Sequence, residues 1–195
     1  MFLPITVYGH PVLKKVAQDI DKDYPDLAQF IADMFETMYE AEGVGLAAPQ
    51  VNRSIRVFVM DASHYADEIP DAKDFKKVFI NAHIMERTGD EKLVEEGCLS
   101  IPNIREEIWR SNEIRIEYYD ENWQFHNETY SGMIARIIQH EYDHLDGILF
   151  VDKISMLRKT LLKRRLHDIS TGNFKQDYKI ILPVQKKKRI VNQKS

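Results

Sequence analysis

Residues 131–147 read Ser-Gly-Met-Ile-Ala-Arg-Ile-Ile-Gln-His-Glu-Tyr-Asp-His-Leu-Asp-Gly. Met133, Ile134, Ile137 and Ile138 recur at the spacing of one helical face, and Gly147 supplies a stop, so a helix is predicted from near Ser131 to about Leu145. Within it, His140-Glu141-Tyr142-Asp143-His144 is an HExxH motif. A four-residue separation stacks the two imidazoles about one turn apart on the same face, where they can share one metal ion. Glu141 starts about 100° round the helix from His140. From there its carboxylate flanks the metal and reaches a bound water as a general base without being a ligand.

A hydrolytic metal site takes a third protein ligand and keeps one coordination position open for water. Gly147 falls on the glycine of the longer HExxHxxGxxH pattern, but the last position is Phe150, which coordinates nothing, and this excludes the metzincin proteases. No Glu follows Glu141, so peptidases with a downstream glutamate ligand are excluded too. Downstream, only His167 and the aspartates Asp143, Asp146, Asp152, Asp168 and Asp177 remain. Upstream, the single cysteine, Cys98, stands in Glu95-Glu96-Gly97-Cys98-Leu99-Ser100, where glycine lets the backbone approach a metal. By elimination Cys98 is the best third ligand. A lone cysteine also excludes an intrachain disulfide, so stability comes from packing.

Outward from this helix the chain alternates in character. Residues 25–41 place Leu27, Phe30, Ile31, Met34, Phe35 and Met38 on one face, predicting a core helix with Pro25 in its first turn and its end at Gly43. Gly43-Val44-Gly45-Leu46-Ala47-Ala48-Pro49-Gln50 follows, where two glycines and a proline predict irregular structure before a strand over Ile55–Met60. Antiparallel, half-buried strands are expected over Val78–Thr88 and Asn112–Tyr130, the latter from the alternation of Ile114, Ile116 and Tyr118 with Glu113, Arg115 and Glu117. Ser155 is the predicted cap of a third helix to about Asp168, whose stripe of Leu157, Leu161, Leu162 and Leu166 packs on the domain; residues past Thr171 read as irregular and basic.

At 195 residues, with 44% hydrophobic and 30% charged residues, only 8 Gly and 7 Pro, and no repeat, the chain reads as one globular domain without a linker. Apolar runs stay well short of the ~18 residues that span a bilayer. The N-terminal sequence has neither signal-peptide nor transit-peptide character, and a cytoplasmic protein is expected. Residues 153–195 hold 13 Lys and Arg against two Asp, leaving 14 basic and 29 acidic residues before them. Such a split can mark a partner-binding end on an acidic body.

Three segments, Gly43–Gln50, Glu96–Ser100 and His140–His144, resemble peptide deformylase of the bacterial type in order and spacing. The resemblance runs from Tyr8-Gly9-His10-Pro11-Val12-Leu13 to the end of the third helix; the acidic stretch Asp61–Lys77 and the basic tail are additions to a compact member. It implies an enzyme that removes the formyl group from the N-terminal formyl-methionine of nascent proteins. The expected fold is α+β, antiparallel sheets packed around the central HExxH helix with a C-terminal helix, as a catalytic domain over residues 1–170 with a basic tail over 171–195.

By the same resemblance Cys98, His140 and His144 hold one divalent metal ion per chain. Fe(II) is favoured in the cell, and the ligand set also suits Zn, Ni or Co. Glu141 takes a proton from the metal's water and returns one to the leaving amine. Gln50 and the Leu99 backbone N–H face the charge that develops on the formyl oxygen. Met133 and Ile137, seven and three residues before His140, suit the methionine side chain, joined by Val44, while the backbone around Gly45 and Gly97 pairs with an extended peptide. The basic third helix is expected to dock on the ribosome, with neither membrane nor DNA as a partner. Two rival readings, a zinc endopeptidase and a ribosome-binding protein with a structural metal, differ in substrate and in the need for a fourth protein ligand.

Overall fold

The computed structural model describes residues 1–67, 69 and 72–183. Residues 184–195 of the basic tail, and 68, 70 and 71 of the acidic segment, lie outside the described residues. In chain order the elements are β1 (Ile5–Thr6), α1 (Leu27–Glu40), β2 (Gly45–Ala47), β3 (Val57–Asp61), β4 (Lys76–Cys98), β5 (Ile101–Tyr119), β6 (Phe125–Ser131), α2 (Gly132–Leu145), α3 (Met156–Thr171) and β7 (Ile180–Ile181). Strands β2 to β6 form one antiparallel sheet in sequence order, and β1 pairs with β7. This is the α+β architecture expected, with α2 against the sheet.

Alternation along each strand decides which helix it meets. On β3, Phe58 and Met60 pack with Ile134, Ile138 and Leu145 of α2, while Val57 and Val59 pack with Phe30, Met34 and Met38 of α1. The strand is apolar on both faces because it lies between two helices, and every residue in it is buried. Ile114, Ile116 and Tyr118 of β5 join the α2 side, as their alternation predicts. A third cluster holds Ile101, Ile104 and Ile108 from the start of β5 against Leu162, Leu166 and Ile169 of α3. The tip of the β4–β5 hairpin, with Cys98 beside it, thus reaches from the main sheet to the C-terminal helix.

Several expectations need correction. The Gly43–Gln50 segment is not irregular: Gly45, Leu46 and Ala47 pair with Met60, Val59 and Phe58, and Ala48–Val51 is a 3-10 turn with Pro49 inside it. Gly45 serves close packing here and is compatible with a strand. Helix α1 begins after Pro25, with Asp26 at its N-cap. The first strand segment extends into the 23-residue β4, whereas Asn112–Tyr130 divides at a turn over 120–124 between the end of the 19-residue β5 and β6; β4 and β5 pair with register shifts after Ile80, Ile84, Thr88 and Gly97. Asn81 (φ 51°) and Gly89 (φ 72°) sit at two of these bulges, which bend the hairpin so that each end meets a different helix.

Ser155 caps α3 as predicted, accepting from the Arg158 N–H, and the helix runs on to Gly172 at φ 79°. Its leucines do not act as one stripe. Leu162, Leu166 and Ile169 are buried, whereas Leu157 and Leu161 are 70% and 64% exposed, because Leu161 stands about 100° round the helix from Leu162. Beyond α3 the tail returns: Ile180 and Ile181 form a parallel pair with Ile5 and Thr6, a local departure from the antiparallel rule. No helix among the described residues is long and apolar enough to cross a membrane.

Candidate metal centre and peptide cavity

Helix α2 is buried nearly all round, so its polar residues must find partners inside the protein. His140 and His144 lie one turn apart on it, with ring centroids 5.2 Å apart. Cys98 arrives from the end of β4, and its Sγ lies 3.3 Å from His144 Nε2. The thiol and one nitrogen from each histidine all lie within 4.8 Å of one another. A tetrahedral ion with bonds of about 2.1–2.3 Å separates its donors by roughly 3.4–3.8 Å, so the cluster suits one ion with slight contraction. One thiolate and two imidazoles are donors for a transition metal rather than for calcium or magnesium.

The surrounding charges orient these ligands. His140 Nδ1 is 3.0 Å from Glu96 Oε2, which holds that nitrogen as the donor and leaves Nε2 for the cluster. Glu96 also accepts from Arg110 at 2.6 and 2.8 Å and from Arg136 at 2.7 Å; Arg110 reaches on to Asp143 at 2.7 Å. Burial would push the Glu96 carboxyl up, but Arg110 and His140 outweigh it and hold it well below the usual carboxylate range. For His140, desolvation is outweighed by Cys98 and Glu96, and its pKa rises to about 10; for His144, desolvation and the neighbouring His140 drive it well down.

Glu141 sits beside this cluster with Oε2 buried and without a hydrogen-bond partner among the described residues. Desolvation raises its pKa to about 7. Gly45 lies directly against it: a Cβ at that position would stand 2.5 Å from Glu141 Oε1. Gln50 is held in a defined sense, since Oε1 accepts from the Ala47 N–H at 2.8 Å and Nε2 therefore points to Ser100 Oγ at 3.3 Å and Cys98 Sγ at 3.5 Å.

In front lies a cavity of about 420 Å³. Val44, Gly45, Gln50, Gly97, Cys98, Leu99, Met133, Ile137, His140 and Glu141 all line it, while His144 closes the cluster from the buried side. The structure therefore gathers every residue singled out from the sequence. Of the alternative ligands, three are engaged elsewhere, Asp143 with Arg110 and Lys153, Asp146 with Arg56 and Asp152 with Lys14, and the cluster of candidate ligands among the described residues is Cys98, His140 and His144. Sequence reasoning missed Arg110 and Arg136, which lock Glu96, and Tyr65 and Tyr178 on the cavity wall. The available signal was Glu96, a carboxylate two residues before a candidate ligand.

The polypeptide deformylase family model matches residues 2–160. A peptide deformylase of Christiangramia forsetii is 55% identical over 97% of this chain and all of its own length, and one of Cytophaga hutchinsonii is 51% identical over 95% of this chain and all of its own. Among solved structures, the Thermotoga maritima peptide deformylase superposes with a TM-score of 0.72 at 41% identity, covering 80% of this chain and 99% of that one. That of Legionella pneumophila gives 0.78 at 33%, covering 91% and 100%. With the match spanning most of the sequence and the whole length of these relatives, the chain belongs to the polypeptide deformylase family, metal-dependent hydrolases that remove the formyl group from the N-terminus of nascent peptides.

Proposed function

We propose that Cys98, His140 and His144 hold the catalytic ion and that Glu141, Gln50 and Leu99 carry out the proton and charge handling of deformylation. The observation that supports this most is the convergence of one thiol and two imidazoles within 4.8 Å, beside an unpartnered Glu141 oxygen. The ion is Fe(II) in the cell, with Zn, Ni and Co as other occupants of the same donor set. When bound, it supplies an acidified water and polarises the formyl oxygen.

Glu141 Oε2 would accept a proton from the attacking water as its oxygen bonds to the formyl carbon. As the C–N bond breaks, Glu141 returns a proton to the departing amine nitrogen, giving formate and a free α-amine. Gln50 Nε2 and the Leu99 N–H donate to the formyl oxygen while its charge is greatest. Met133, Ile137 and Val44 bind the methionine side chain, and the backbone of Gly45 and Gly97 pairs with the peptide, tolerating varied sequence beyond it.

Residues 1–170 supply the groups named above, and 171–195 form a basic extension. The protein works in the cytoplasm on formyl-methionyl chains at the ribosome, which α3 contacts. Formate release from a formyl-Met-Ala peptide by anaerobically purified protein, with metal content measured on the same sample, tests reaction and ion together. Iron at one equivalent with formate release is expected. Cleavage of internal peptide bonds without formate would overturn the reading.

A further inference from the structure

The two-residue turn Leu99–Ser100, which joins β4 to β5, is tied at both of its carbonyls. Ser100 O accepts from the Tyr8 N–H at 2.9 Å, just beyond β1. Leu99 O accepts from the Tyr178 hydroxyl at 2.7 Å. Tyr178 belongs to the segment after α3, and that segment is itself fastened on either side. Asn103 Nδ2 donates to Lys175 O at 3.1 Å, and the Ile5 N–H donates to Lys179 O at 2.8 Å. The phenol is thus delivered to the turn by strand β7 pairing with β1, and its ring stands in the wall of the cavity.

Leu99 is the residue whose N–H donates to the formyl oxygen in the reading above, and the inference rests on that assignment. A hydrogen bond to the Leu99 carbonyl restrains the Leu99–Ser100 peptide plane, and with Ser100 O held as well and Cys98 paired with Ile101, the preceding peptide that carries the Leu99 N–H has little freedom to swing. Positioning of a donor matters because its stabilisation falls steeply with misalignment. We infer that Tyr178, from the C-terminal segment, is a positioning residue for deformylation: its hydroxyl holds the Leu99–Ser100 turn in register with the reacting carbonyl while its ring closes one side of the peptide cavity.

The test is Tyr178→Phe, which keeps the ring and removes one hydrogen bond. Two readouts are taken on metal-matched protein: kcat and KM for a formyl-Met peptide, and hydrogen exchange at the Leu99 and Ser100 amides. The expected result is faster exchange at these amides with kcat lowered roughly tenfold and KM nearly unchanged, the scale of one lost hydrogen bond. Tyr178→Ala, which also removes the ring, should raise KM as well. Unchanged exchange in Tyr178→Phe overturns the positioning role, whatever the rate. Faster exchange with unchanged kcat would instead show that the Leu99 N–H takes no part in the reaction, overturning the underlying assignment of that donor and the role of Tyr178 with it.

Discussion

Gly45 and Glu141 are distant in sequence but meet so closely that the strand leaves no room for a side chain. A Cβ on residue 45 would lie 2.5 Å from one Glu141 oxygen and 2.8 Å from its carboxyl carbon. Gly45→Ala should therefore displace Glu141 and lower formate release by about a hundredfold, the cost of roughly an ångström of misplacement at a reacting group. Its metal content should be retained, since the three atoms nearest a Cβ at residue 45 all belong to Glu141 rather than to a ligand; native activity in Gly45→Ala would remove the steric premise. Glu141→Gln tests the carboxylate itself: shape and metal are kept, and turnover should fall by about 10²–10⁴ in a coupled formate assay. The two histidines and Glu141 were legible because helical spacing alone fixes their geometry. Cys98 was legible by elimination and by the resemblance carried by Glu96–Ser100. The Gly45 contact and the hold of Arg110 and Arg136 on Glu96 were not, because the packing of α2 against β2 and the β4–β5 hairpin, rather than local spacing, creates them.

Among the elements, the helices were read closely and the long hairpin was not. Helix α2 announces itself through a 3.6-residue period, a cap and a glycine stop. Strands β4 and β5 carry bulges that break the two-residue alternation, and Gly89 inside β4 has the left-handed backbone that a sequence reader assigns to a turn. The outer end of this sheet, where β6 pairs with β5, has its own polar lock. Glu128 of β6 accepts from Tyr118 at 2.6 Å and from Tyr130, and pairs with Lys77 at 3.0 Å. Desolvation would raise the Glu128 pKa, but the two hydroxyls and Lys77 outweigh it and bring it from near 4.5 to about 2. A carboxyl depressed in the folded state contributes stability fully above its unfolded value, and that contribution is lost as pH falls from about 4.5 toward 2. Glu128→Gln should thus lower stability at pH 7 by about 1–2 kcal/mol. In urea unfolding across pH, the native protein should lose more stability over this window than the variant. Parallel pH profiles would show that the carboxylate charge adds nothing to the lock.

At the scale of the whole molecule the charge is divided: an acidic body carries the cavity, and α3 with the segment after it carries most of the excess of Lys and Arg. Both the Cys98–His140–His144 cluster and α3 pack against the β4–β5 hairpin, so a partner engaged by α3 is held at a set distance from the cavity. The exposed face of α3 pairs that charge with apolar surface. Met156, Leu157 and Leu161 are 77%, 70% and 64% exposed beside Arg158, Lys159, Lys163 and Arg164, a combination that a folded RNA–protein surface can meet with phosphates and apolar side chains. Arg158 is paired with Glu106 at 2.6 Å, and Arg165 donates to Asn103 O, so Lys163 and Arg164 are the freer charges. If α3 meets ribosomal RNA, binding should weaken steeply with salt, and neutral replacements at Lys163, Arg164 and Arg165 should flatten the slope of log affinity against log salt by about two to three. Leu157→Ser with Leu161→Ser should weaken binding at every salt concentration and leave that slope alone, because apolar contacts release no counterions. Turnover of a short formyl peptide should be unaffected in both variants, since neither face of α3 lines the cavity. Ribosome co-sedimentation that is unchanged across the salt series in the charge variant would return these residues to keeping the protein soluble.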